Sequence, residues 1–160
     1  MTPTTRPLPR RLAMLALLSV LWAAGAAAYT TAVGFGDAWI RPAPTGANGA
    51  GYLTIVNRDR VDDALTALAS PDAATVTLHE SRMVGGVMTM RPLPTLAVPA
   101  GRSVALKPGG LHVMLRGLKR ALATGDHVTL FLTFAKAGRV RVILHVRAGA
   151  APDPMTGMKM

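Results

Sequence analysis

Between residues 38 and 146 the chain is cut into nine short runs of alternating apolar and polar residues, each closed within a few positions by Pro, Gly, Asn or Asp. No other feature narrows the fold so far, because successive side chains of a strand face opposite ways and a period of two does not suit a helix. The runs cover 38–41, 50–57, 65–70, 75–81, 87–91, 103–107, 111–115, 127–134 and 139–146. Several junctions carry tight-turn chemistry: Gly85-Gly86, PAG at 99–101, PGG at 108–110 and Ala137-Gly138. Connections this short favour hairpins. The stretch around Leu65 could imitate a helical turn, but Pro71 and its strand-rich surroundings argue for a strand. The expectation is an all-β domain, an antiparallel sandwich or barrel.

The first 28 residues have a different character. Arg6, Arg10 and Arg11 precede the apolar run LAMLALLSVLWAA, and small residues follow as far as Ala28. This is the pattern of a secretory signal cut after Ala28 or, if uncleaved, of an N-terminal anchor. The Arg10-Arg11 pair hints at the twin-arginine route, although its flanks fit that route poorly. A periplasmic or otherwise exported protein is implied. Residues 29–148 then suit one domain, and residues 149–160, with Met155, Met158 and Met160 but no core pattern, read as a flexible Met-rich tail.

Composition removes several functions. The formal charge of +10 falls to +7 without the three leading arginines, and the other basic residues are scattered. With aromatic residues at 4%, few side chains are available to stack on bases, so nucleic acid is not an expected partner. A weak attraction to anionic membrane surfaces fits better. The absence of cysteine excludes thiol redox chemistry and cysteine-held metals, and leaves the core to hold the fold. No nucleophile–base pair, carboxylate pair or open hard-metal site can be assembled, so the chain is not expected to be an enzyme.

What remains is a soft metal. In LHVML, Leu111, Val113 and Leu115 share one face while His112 and Met114 share the other, about 6.6 Å apart at two strand rises. His79 lies in TVTLHES, and Met90 lies across the Gly85-Gly86 turn. Paired positions summing to 169 would set His79 opposite Met90; a sum of 171 would make them diagonal neighbours. Either odd sum keeps both on one face, and an even sum would split them. Two imidazole nitrogens and two soft thioether sulfurs are neutral ligands suited to tetrahedral Cu(I); zinc would call on cysteine, carboxylate or more histidine, and a blue-copper centre needs a thiolate.

The spacing resembles that of the PCuAC periplasmic copper chaperones: a histidine, ten residues, a methionine, twenty-one residues, then His-x-Met. His79, Met90, His112 and Met114 fit all four positions. The similarity also runs through LHES, GVMTMRPL, VPAGRSVALKPGGLHVMLRGLKR and GDHVTLFLTF, with Ala121 where a proline is expected. The resemblance implies a cupredoxin-like Greek-key sandwich and delivery of Cu(I) to the copper-bearing subunit of a respiratory terminal oxidase in cooperation with Sco-type thiol proteins; separately, a monomer is expected. The competing expectation is a copper buffer or scavenger, in which the Met-rich tail adds capacity without donation. Met83 and Met88, near the hairpin tip, are candidates to shield the metal, and ordinary packing serves them equally well. His127 and His145 read as solvated surface residues, Glu80 as facing away from the site, and Trp39 as a core residue.

Overall fold

In a computed structural model the described residues are 32–148; the expected signal at 1–28 and the tail at 149–160 lie outside them. Ten strands and no helix make up this part of the chain: β1 Val33–Ile40, β2 Gly49–Asn57, β3 Asp63–Ala69, β4 Ala73–Val84, β5 Val87–Leu93, β6 Leu96–Val98, β7 Ser103–Leu106, β8 Leu111–Leu118, β9 His127–Phe134 and β10 Gly138–Val146. Only β6 has no counterpart among the alternating runs. At three residues, lodged between Pro94 and Pro99, it is too short to display a period. β1 begins five residues earlier than its run because Asp37 adopts φ +44° and the pairing register shifts between Gly36 and Trp39. Such a bulge breaks the alternation that would have revealed the strand.

The strands form one sheet in the order β5-β4-β8-β2-β1-β10-β9-β3-β6, with β7 also pairing with β2. β3 lies against β4 although the two belong to opposite ends of this order, so the sheet curls over into a sandwich with a barrel-like closure. Every strand pair is antiparallel except β1 with β10, which run side by side in the same direction with Trp39 opposite His145. The expected antiparallel sandwich is thus realised with one parallel contact: the first and last strands of the domain are neighbours, and no hairpin could join them.

The interior is aliphatic. Ile40, Ile55, Val113, Leu115, Val128, Leu130, Leu132 and Leu144 are each 0% exposed, and burial of such a side chain contributes about 1.5–3 kcal/mol. Trp39 is buried as expected, but outside this aliphatic cluster: it stacks on Tyr52 at 4.6 Å, with the Arg147 guanidinium 5.1 Å above its ring. Asp63 is a buried carboxylate that accepts N–H bonds from Ala64, Lys136 and Ala137, tying the start of β3 to the turn between β9 and β10. Burial alone would raise its pKa, but those three donors and the Lys136 charge together hold it below the ordinary value.

Candidate metal centre

The local geometry begins at the turn. Gly85 and Gly86 take φ +56° and +80°, the left-handed pair of a two-residue type I′ hairpin. This turn sets Val84 opposite Val87 and therefore Met83 opposite Met88, Ser81 opposite Met90 and His79 opposite Pro92. Of the two odd registers open to the sequence, the one summing to 171 is realised, and Met90 is the diagonal neighbour of His79. Pro92 fits because β5 is the edge of the sheet and no ladder bond is asked of its nitrogen.

On its other side β4 pairs with β8, with His79 opposite His112 and Thr77 opposite Met114. The alternation of side chains then puts His79, Met90, His112 and Met114 on one face of three adjacent strands, with His79 in the middle. The two imidazole centroids are 5.9 Å apart, with planes inclined at 45°. His112 is 5% exposed and Met90 51%, so the group runs from a covered floor to an open rim at the sheet edge.

Both rings are held by hydrogen bonds of the kind that orient metal ligands. His112 Nδ1 lies 3.0 Å from the Gly110 carbonyl. A carbonyl can only accept, so Nδ1 carries the proton and Nε2 keeps its lone pair. The same carbonyl accepts the Ser81 N–H at 3.0 Å, fastening the turn before β8 to β4. His79 Nε2 lies 3.0 Å from Thr77 Oγ1, and His79 Nδ1 is buried with no hydrogen-bond partner. An orphaned nitrogen in this position is costly for a protein interior and suitable for a metal. With Thr77 as acceptor, the Nδ1 lone pair of His79 is free. Burial first, then the neighbouring His112 and Arg116, push the His79 pKa below its ordinary value and favour the unprotonated ring that a metal needs.

Among the described residues no three histidine or carboxylate side chains cluster to hold a harder ion. Glu80 faces the reverse side, as expected, where Arg91 and Arg82 bind it at 2.8 and 2.9 Å. Hydrogen bonds from Arg91, then Arg82, hold its pKa below the ordinary carboxylate value. His127 and His145 are exposed and lie on β9 and β10, away from the group. Thr77, Ser81 and Gly110 were not singled out from the sequence. A polar residue two positions before a histidine on the same strand face was the available signal for Thr77.

Comparison with known proteins is consistent with this architecture. Residues 33–146 match the family described as LpqE-like, a lipoprotein family. A protein of Leifsonia xyli subsp. xyli, also described as a lipoprotein, is 30% identical over 111 residues, which span 69% of this chain and 66% of that protein. Among solved structures, Cu(I)-bound DR1885 of Deinococcus radiodurans is 31% identical, with a TM-score of 0.57 over 71% of this chain and 76% of that one. The copper-bound PCuAC domain of PmoF2 shares the fold at 24% identity, with a TM-score of 0.60 over 74% of this chain and 94% of that domain. The chain therefore belongs to the LpqE-like family and shares the fold of the PCuAC domains.

Proposed function

We propose that this chain is an exported Cu(I) carrier that holds its ion with His79, Met90, His112 and Met114 and hands it to another copper protein. The observation that carries the reading is the buried, partnerless Nδ1 of His79 beside His112, on a face that also bears two thioethers. The solved relatives described as Cu(I)-bound and copper-bound support the choice of ion. Transfer requires ligand exchange rather than catalysis. Met90, half-exposed on an edge strand, is the ligand that an acceptor's side chains could replace first, while His112 at the floor would leave last.

Export rests on the N-terminal segment and on relatives described as lipoproteins, which also favour attachment to a membrane. The acceptor proposed from the family resemblance is the copper-bearing subunit of a respiratory oxidase, with Sco-type thiol proteins as co-workers. Anaerobic Cu(I) titration against a chromophoric chelator tests the site: one tight equivalent, lost in Met114→Leu, is expected. A tight equivalent that survives Met114→Leu would refute the four-ligand set. Incubating the loaded chain with an apo oxidase subunit then separates a donor, which transfers copper, from a buffer, which retains it.

A further inference from the structure

The hairpin that supplies Met90 continues past the site into solvent, and its tip is apolar. Of the large apolar side chains exposed among the described residues, only Val61 lies elsewhere; Met83, Val84, Val87, Met88 and Met90 are 51–64% exposed on this one hairpin. Thioethers held in water are oxidation-prone and gain nothing from packing, so their concentration here calls for a reason.

We propose that Met83 and Met88 form a second, shallower Cu(I) station through which the ion enters and leaves the four-residue site, with Met90 shared between the two. The inference deepens the proposed carrier function and rests on that reading of the inner site. Its first support is register. The Gly85-Gly86 turn makes Val84–Val87 the hydrogen-bonded closing pair, so Met83 and Met88 occupy the adjacent non-hydrogen-bonded position, where facing side chains approach most closely. Both lie on the same face as His79 and Met90, and the row containing Met90 is one step nearer the site, about 6.6–6.8 Å along the strands. Methionine has three rotatable side-chain bonds, enough for Met90 to turn towards either row.

Charge supplies the second support. The charged groups of this hairpin, Glu80, Arg82 and Arg91, bind one another on the opposite face, so the path from the tip to His79 is lined by thioethers and the Ser81 hydroxyl. A neutral, soft lane suits a monovalent soft cation. Two or three thioethers without imidazole hold Cu(I) less firmly than the inner set, giving the downhill direction that loading requires. In the passage, bonds to His79 Nδ1, His112 Nε2 and Met114 Sδ form as those to Met83 and Met88 break, while Met90 stays bound. Copper remains Cu(I), and no proton or electron need move.

The test uses the intact chain labelled with 13C at the methionine methyls, titrated anaerobically with Cu(I), and the double variant Met83→Leu/Met88→Leu, which keeps the tip apolar and of similar volume. In the wild type the first equivalent should shift the His79 and His112 ring signals, and a second should shift the Met83 and Met88 methyls. With a small chelator as copper donor, which needs no docking surface, the double variant should retain inner-site affinity within about twofold. It should load at least about tenfold more slowly, because the local supply of copper is lost. Motionless Met83 and Met88 methyls together with wild-type loading would overturn the station and leave the inner site intact. Ring signals that never move while the tip methyls do would instead overturn the inner site and leave the thioether pair standing.

Discussion

The four histidines of this chain fall into two pairs, each formed across neighbouring antiparallel strands, and the pairs have very different surroundings. His127 and His145 meet edge-to-face at 4.8 Å, closer than the 5.9 Å between His79 and His112. Yet the closer pair is exposed, and His145 stands opposite Trp39 on the adjacent strand, with Arg147 above the Trp39 ring. The wider pair has a covered floor, one nitrogen with no partner, a carbonyl and a hydroxyl that fix its rings, and methionines one step away on both flanking strands. Proximity of imidazoles therefore does not by itself mark a candidate site. At the proposed site, burial leaves a lone pair unused, and adjacent sulfur would favour a soft ion.

The sharpest way to break this contrast is to remove one ring from each pair. His112→Ala should weaken Cu(I) binding by more than about 100-fold, beyond the 10–100-fold typical of losing an outer partner. His127→Ala should leave it unchanged within about twofold. Equal losses in a competitive chelator titration would show that the two pairs share the ion. A smaller effect is expected from Thr77→Val, which keeps the shape of the side chain but removes the hydroxyl that orients His79. A loss of about 10-fold is expected, with Thr77→Ser recovering most of it. If valine binds as tightly as threonine, the His79 ring is placed by packing alone.

Much of this arrangement is legible in the sequence. The two-residue period of LHVML, with its aliphatics inward, is enough to put His112 and Met114 on one face, whereas Met90 joins the face of His79 only if the Gly85-Gly86 turn gives an odd register. The choice between registers was not available, because it depends on both glycines adopting positive φ. Long-range partners were equally hidden. Asp63 finds its donors at Lys136 and Ala137, 73 and 74 residues away, and Gly110 serves both His112 and Ser81 through a carbonyl that has no sequence signature. The parallel pairing of β1 with β10 was invisible for the same reason: it joins the two ends of the domain. Local periodicity reports which face a residue occupies, and only closure of the fold decides what meets it there.

The smallest expected effect concerns protons and isolates what burial does to the inner pair. Burial, followed by the charges of His112 and Arg116, lowers the His79 pKa in the folded chain below the value of about 6.5 that an unfolded histidine has. As pH falls through that value the unfolded state takes up its proton first. Stability of the copper-free protein therefore declines with falling pH, and the decline ends once the folded ring is protonated too. His79→Gln removes the titrating group, so urea midpoints of the variant measured in steps downward from pH 7.5 should lose part of the wild-type slope. Copper at the proposed site would have to displace any proton on the His79 ring, so its affinity should weaken in the same direction. A variant whose midpoint follows the wild-type curve throughout would mean that His79 is solvated in solution, and the contrast between the covered and exposed pairs would then rest on sulfur alone.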